Sequence, residues 1–512
     1  MRIRSLGLRL IIPATAVGLV VAGCSADSSV TAGSGAIGTT VDINPHDVSE
    51  LRQGGNLRLQ ITGFPETFNS LHVDTDGDAS EVVGWTLPGT INSTASGELP
   101  IDRNYYTDIQ LTGTEPQQIT YTINPKAVWT DGTPITWEDL ASQANALSGR
   151  DNAFRATTAT PQAFNDLDRN GLHASAGPFV ITSIDRAQQR IVLGRNPEWW
   201  GDTPVLDTVT YSVLDSSARL SALQNNELDS ASISGIDEVT TASGSPGLVV
   251  RRAPSLNFTH MTFNGAPGSI LEDPRLRVAV SKGIDRQGIA TALLNGVVQD
   301  PKPLDNHLYL NGQKGYRNNA QSVAYDPDQA AKELDELGWK LNGDVREKDG
   351  RKLVIRNVMF QAETWNQVAQ IAQQNLAAIG VKLDIQTYPG NGLFTQIIDP
   401  GNFDIANFVW SKSIFPLGAL PQIYAYDPNN LQGNKGRIGS PELNALIEEI
   451  ISELDPDKAI EMANEADKMI FAEGFSLPLY QSAGTIAQRA DLANWGAFGL
   501  QSADFTKVGF LK

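Results

Sequence analysis

Cysteine is almost absent: Cys24 is the only one in 512 residues. That excludes a disulfide framework and any metal site built on several thiolates. Histidine is nearly as scarce. His46, His72, His173, His260 and His307 are scattered, with no two at the i, i+4 spacing of a helical metal pair. There is no G-x-S-x-G elbow, no H-E-x-x-H and no Walker phosphate loop, so the expectation is a non-enzyme without cofactor or metal. Positive charge is short as well: 39 lysines and arginines stand against 58 acidic residues, a net charge of −19. Such a chain repels nucleic acid and anionic membrane surfaces. Past the first 22 residues no long apolar run occurs, so the body is expected to be soluble.

What is present at the N-terminus points out of the cytoplasm. Arg2, Arg4 and Arg9 form a basic region, and residues 10–22 are apolar apart from Pro13, Thr15 and Gly18. That run is too short for a permanent span and suits a signal peptide, expected over residues 1–23. It ends Val21-Ala22-Gly23-Cys24, which resembles the lipobox of bacterial lipoproteins. The resemblance implies that Cys24 is acylated and anchors the protein to the cell membrane from outside the cytoplasm. Stable anchoring takes two acyl chains or more. Residues 25–40 are rich in Ser, Thr, Ala and Gly, and a flexible tether is expected over residues 24–53. Within it, Gly33-Ser34-Gly35-Ala36-Ile37-Gly38 matches the dinucleotide-binding pattern letter for letter. That pattern works only between a strand and a helix, and neither flank is regular, so it reads as tether.

The body alternates helix-like and strand-like segments without a visible internal repeat, which argues for α/β architecture. In residues 363–389, Val368, Ile371, Ala372, Leu376 and Ile379 fall on one helical face that stops at Gly380. Val381, Leu383 and Ile385 then alternate with polar residues as a half-buried strand. Asp273-Pro274, Asp326-Pro327, Ser440-Pro441 and Asp455-Pro456 each predict a helix start, with an oxygen to cap free N–H groups and proline where no hydrogen bond is lost. From Pro441, Leu443, Leu446, Ile447, Ile450 and Leu454 make one apolar stripe, and the interspersed glutamates read as a solvated face.

One segment is more specific: Thr120-Tyr121-Thr122-Ile123-Asn124-Pro125, then Val128-Trp129-Thr130-Asp131-Gly132-Thr133-Pro134-Ile135-Thr136-Trp137-Glu138-Asp139. It reads as a strand, a tight Asp-Gly turn and a helix capped by Thr136 with Asp139, Trp129 being a core anchor. Ala176-Gly177-Pro178-Phe179, Asn196-Pro197-Glu198-Trp199-Trp200-Gly201, Glu227-Leu228-Asp229, Phe263-Asn264, Leu337-Gly338-Trp339, Phe403-Asp404-Ile405 before Trp410, and Leu477-Pro478-Leu479-Tyr480 follow in order. Together these segments resemble family 5 of the bacterial extracellular solute-binding proteins, the oligopeptide/dipeptide-binding group, over nearly the whole mature chain. The resemblance implies a two-lobed, hinged periplasmic-binding-protein fold (class II, cluster C) with an additional inserted domain. Lobe I would comprise residues 54–87, 177–261 and 481–512, the inserted domain 88–176, and lobe II 262–480. It implies a monomeric substrate-binding lipoprotein of an ABC importer, capturing a peptide or peptide-like solute by hinge closure and delivering it to permease subunits.

In peptide-binding relatives an aspartate about three residues after that tryptophan pairs with the peptide α-amine. Here Ser413 holds the matching position. A charge-assisted hydrogen bond contributes about 1.5–3 kcal/mol, so its loss weakens amine binding roughly ten- to a hundredfold. The stretch is still expected to form pocket wall: Trp410 as a stacking face, Ser411 and Ser413 with hydroxyls, and Phe415 beside them. Phe263 and Asn264 sit where the chain should cross between lobes, so Asn264 is expected to reach the ligand. Tyr424, Tyr426, Trp85 and Trp365 complete the candidate wall. Asp74-Thr75-Asp76-Gly77-Asp78 hints at a calcium loop, but Ala79 and Trp85 stand where glycine and a bidentate glutamate belong, so it reads as a solvated turn. The alternative on the same fold is an envelope scaffold or regulator that binds a glycan or lipid-linked ligand without transport. A metal or haem receptor would need a coordinating residue in the cleft.

Overall fold

The computed structural model describes residues 41–72, 75, 77–147, 158–389 and 392–512. The expected signal peptide, Cys24, the Gly33–Gly38 pattern, Asp74 and Asp76 lie outside them. The expected tether is corrected at its C-terminal end, because residues 41–53 belong to the body. Asp42 bridges to Ala497 and holds Arg251 at 3.0 Å. Asp47 and Glu50 close a capping box around a short 3-10 turn, and Leu51 is buried with Val205 and Ala493. A short segment with one apolar anchor and one partly buried ion pair docks even though its composition reads as linker.

Strand β1 (Asn56–Ile61) opens the first lobe, with Leu57, Leu59 and Ile61 buried in alternation. The chain then leaves through an exposed hairpin, β2 (Tyr106–Thr114) and β3 (Gln117–Ile123), and the helix Trp137–Leu147. The Asp-Gly turn forms as its residues dictate: Gly132 takes φ +82°, and the Asp131 carboxylate accepts the Thr133 N–H at 2.9 Å. Asp139 accepts the Thr136 N–H at 2.7 Å. Trp129 packs with Ile135, Trp199 and Trp200 around buried Tyr105, Tyr106 and Ala176. The chain returns as β4 (Phe179–Asp185), β5 (Arg190–Arg195) and β6 (Thr208–Val213), giving a sheet of order β1-β6-β5-β4 with β1 and β6 parallel.

The second sheet joins the lobes. Its order is β13-β12-β14-β8-β15-β7, where β7 is Ser230–Ser232, β8 is Leu248–Phe263, β12 is Val354–Phe360, β13 is Lys382–Tyr388, β14 is Ile405–Ser411 and β15 is Ser476–Arg489. Strands β12, β13 and β14 run parallel, while β8 is antiparallel to both β14 and β15. A small meander, β9 to β11 over residues 340–352, lies apart from this sheet. Strands β8 and β15 run beside each other along most of their length. Their first-lobe ends pack Leu248, Val250 and Ala487 with Leu228 and Ala231. Their other ends pack Met261, Phe263, Leu477 and Leu479 in the large second-lobe core. The expected boundaries at 261/262 and 480/481 therefore fall inside two strands. On β8 the pairing with β14 begins at Asn257, and β15 shifts register between Pro478 and Tyr480 and again between Gln481 and Ala483. Such bulges bend a strand locally.

The predicted local units form as read. The helix Glu363–Ala378 buries Val368, Ala372 and Leu376, and Gly380 takes φ +77° before β13. Asp273, Asp326, Ser440 and Asp455 cap the helices Pro274–Lys282, Pro327–Glu336, Pro441–Ser452 and Pro456–Ala472. Leu443, Ile447 and Ile450 are buried, whereas Leu454 lies past the helix end and is exposed. No described helix is long and apolar enough to cross a membrane.

Candidate ligand cleft

The site grows from the exit of β14. Strand alternation puts Phe408, Trp410 and Lys412 on one side; β12 ends at Phe360, one residue past its last pair Met359–Asn407, and β14 runs on to Ser411. Ligands of open α/β sheets bind outside the carboxyl ends of such parallel strands. Here those ends carry an aromatic group: Phe360, Tyr388, Phe394 and Trp410 pack around buried Phe408. Trp410 is half-buried. Its ring plane lies 14° from that of His260 with centroids 6.0 Å apart, and Phe408 meets it edge-on at 5.3 Å.

Beyond Trp410 the chain turns outward. Ser411 is exposed. The Lys412 N–H donates to the Leu256 carbonyl at 2.8 Å, and its ammonium stands 5.4 Å from the centroid of the Phe258 ring. Desolvation by the surrounding residues pushes the Lys412 ammonium down to about 8, opposed by the charge of Asp467. Ser413 spends its hydroxyl on its own turn, at 3.1 Å from both the N–H and the carbonyl of Phe415. Phe415, 46% exposed, lines a cavity of about 460 Å³, within the usual range for small-ligand sites. One wall is Tyr309, Gln313 and the stretch 414–418 of the second lobe. The facing wall is Ser93, Ser96, Gly97, Leu99 and Leu500. Ser93 and Ser502 are tied together by two hydrogen bonds of 2.9 Å, which set the loop and the C-terminal segment side by side.

The expected site residues divide. Phe415 lines this cavity, whereas Trp410, Ser411 and Ser413 lead into it along the same stretch of chain and are not among its lining residues. Trp365 is half-buried in the first turn of the helix after β12, near the same strand ends, though it does not line the cavity. Five expectations are corrected. Phe263 is wholly buried in the second-lobe core. Asn264 is buried, its amide donating to the carbonyls of Gly401 and Phe403 at 3.0 and 2.9 Å and its oxygen accepting from Ala266. It locks the approach to β14 and has no atom left for a ligand. Trp85 is first-lobe core, stacked on Phe505 at 4.2 Å and donating its indole N–H to the Tyr211 hydroxyl at 2.8 Å. Tyr424 is buried between His307 and Phe475. Tyr426 is bound at both its backbone groups by Asn444, behind the cleft wall and outside the cavity lining. Aromatic residue type does not tell core from wall.

Sequence reasoning missed Lys412, Phe258 and His260. The signal for Lys412 was the lone cation between Ser411 and Ser413, passed over in looking for a carboxylate. His260 is wholly buried, and desolvation, with the nearby His307 and Lys412, pushes it well below the ordinary histidine range. His307 is also buried and satisfied, with Nδ1 at 2.8 Å from Asp467 and Nε2 at 3.1 Å from the Ser476 carbonyl. Asp78, the last acid of the calcium-like stretch, accepts the N–H groups of Thr62 and Gly63. Among the described residues no three His, Cys, Asp or Glu side chains gather as a metal site.

Two α/β lobes sharing a continuous pair of strands, with an aromatic cleft at the carboxyl ends of the parallel strands, define a solute-binding protein of the two-lobed type. Residues 160–432 match the family described as bacterial extracellular solute-binding proteins, family 5 Middle. The chain is 46% identical to the oligopeptide-binding protein OppA of Mycobacterium tuberculosis, over 97% of this chain and 92% of that protein. It belongs to family 5 of the bacterial extracellular solute-binding proteins. Its fold matches a periplasmic EDTA-binding protein, EppA, with TM-score 0.80, 21% identity and coverage of 93% and 99% of the two chains. It also matches the oligopeptide-binding protein AppA of Bacillus subtilis in complex with a nonapeptide, with TM-score 0.72, 19% identity and coverage of 90% and 100%.

Proposed function

We propose that this protein captures peptides or a peptide-like solute between its lobes and presents them to the permease subunits of an ABC importer. The observation that carries the reading is the near full-length similarity to an oligopeptide-binding protein. A cleft with aromatic walls and few committed polar groups is consistent with it, since such walls accept varied side chains. Closure about β8 and β15 traps the ligand, and the closed shape is what the permease recognises. The protein acts as a monomer, tethered to the outer face of the cell membrane through acylated Cys24, and carries out no chemistry on its ligand. The scaffold reading has no specific observation in its favour.

Native mass spectrometry of the purified protein tests this. A ladder of peptide masses released on denaturation is the expected result. A single glycan, lipid or other non-peptide mass would replace the peptide reading.

A further inference from the structure

We infer that Lys412 is the charged anchor of the cleft and that it receives a carboxylate of the ligand, the reverse of the α-amine clamp. The inference rests on the peptide or peptide-like reading above and specifies which end of such a ligand is held.

Position comes first. Lys412 follows directly on β14, on the same side as Phe408 and Trp410, where the parallel strands end. Its backbone is pinned to Leu256 on β8, so the stem leaves from a fixed point. The ammonium lies against Phe258, which is itself buried with Leu304 and Leu310 beside Trp410.

Partners come second. Among the described residues, Lys412 is the one lysine that is not fully exposed and has no carboxylate within ion-pair distance. The comparable half-buried lysines are paired, Lys282 with Glu333 and Lys435 with Asp399 at 2.6 Å. In a chain with 58 acidic residues, this ammonium stands over an aromatic ring with no ion-pair partner among the described residues. The acid whose field reaches it, Asp467, is already engaged by His307 and Asn319. A cation–π contact offsets part of the cost of a desolvated ammonium, and a carboxylate brought by the ligand completes the pair. The depressed proton affinity of Lys412 agrees with a charge short of a partner.

Chemistry comes third. Ser413 has its hydroxyl turned onto Phe415, so this loop offers a cation and no anion. A terminal carboxylate and an acidic side chain present the same group, and the test separates them.

Four matched sets of tetra- to octapeptides with neutral side chains are mixed with the full chain in detergent, and retained peptides are read by mass spectrometry. The sets are N-acetylated free acids, N-acetylated amides, N-acetylated amides with one glutamate, and free-amine amides. We expect either carboxylate-bearing set to be retained about tenfold or more over the acetylated neutral amides. Preference for the first set identifies the C-terminus, and for the third a side chain. Lys412→Met is expected to erase the preference and Lys412→Arg to keep it. Equal retention of all sets, or retention of the free-amine set alone, would overturn the inference and leave peptide capture standing. So would a preference that survives in a Lys412→Met protein. Retention of no set would overturn the peptide reading and this inference with it. Absence of the preference in the wild-type protein overturns the inference without any variant, and should Lys412→Met fail to fold, loss of the preference in Lys412→Gln is expected in its place.

Discussion

Asp229 and Asp404 hold equivalent places in the two lobes. Each gives its N–H to the carbonyl of an arginine, Arg58 at 2.9 Å and Arg356 at 3.3 Å. Each takes back that arginine's own N–H on its carboxylate, at 2.7 and 2.8 Å. Each also clasps the guanidinium through two further bonds, of 2.9 and 2.6 Å for Asp229 and 3.0 and 3.0 Å for Asp404. Arg58 lies on β1 and Arg356 on β12, and the strands that follow the acids, β7 and β14, are set beside them. One latch thus starts a strand in both lobes, a repeat of geometry with almost no repeat of sequence.

Removing either acid leaves a strand N–H without its acceptor and strips two bonds from the paired guanidinium, which in Arg58 keeps only those to Asn226. Asp229→Ala and Asp404→Ala are each expected to cost about 2–4 kcal/mol, read by urea unfolding. Only Asp404 leads into the strand that carries Trp410, so only its variant should also weaken ligand binding. Equal affinities in the two variants would mean that β14 is positioned without the latch.

Trp85 and Trp410 separate stability from binding. Trp85→Ala removes a core indole packed on three aromatic rings, and about 3–5 kcal/mol of stability should go with it. Trp410→Ala at the half-buried strand end should leave most stability intact and weaken retained peptides by about tenfold or more, measured by calorimetric titration. Loss of affinity in a folded Trp85 variant equal to that of the Trp410 variant would contradict this division.

The parts legible from sequence are those set by neighbours in the chain. The Asp-Pro and Ser-Pro caps, the Asp131-Gly132 turn and the helix that stops at Gly380 each depend on a few consecutive residues. The β8–β15 crossing is set by pairing between residues more than two hundred positions apart, and no break in composition marks where either strand passes between lobes. Pairing of this kind leaves Asn264 and Tyr424 looking like any polar or aromatic wall residue until their partners Gly401, Phe403, His307 and Phe475 are in place. The stretch 410–415 was legible through family resemblance, but only as the site of a missing acid, which hid the cation beside it.

The His307–Asp467 contact is structural, and its prediction concerns folding. Both side chains are wholly buried, and the Asp467 carboxylate also accepts the His307 N–H at 2.9 Å and the Asn319 amide at 2.7 Å. Asp467→Ala strands these donors and should destabilise by about 3–5 kcal/mol. Asp467→Asn keeps one acceptor and should cost less. Denaturant midpoints of the two variants check the order, and a neutral Asp467→Ala would show that water replaces the carboxylate.

Lys412 makes pH a direct probe of the cleft. The ammonium titrates at about 8 rather than its ordinary 10.5. Of the groups around it, His260 on β8 is held neutral by burial, and Tyr316 is pushed above the usual tyrosine range. Asp467 belongs to the His307 cluster just described. With an N-acetylated free-acid peptide, which has no α-amine to confuse the titration, affinity should be flat below pH 7. It should then fall as pH rises through 8, by up to about tenfold per unit, until it meets the raised value in the complex. The acetylated amide should show no such slope, and Lys412→Arg should remove it. Stability of the unliganded protein moves the other way. The folded state releases its proton near 8 and the unfolded chain near 10.5, so between them the unfolded chain holds more protons and the Lys412 contribution to stability grows with pH. Affinity that falls while that contribution rises over the same interval is the pattern a ligand carboxylate on a desolvated lysine produces. Parallel slopes for the free acid and the amide would place the titrating group elsewhere.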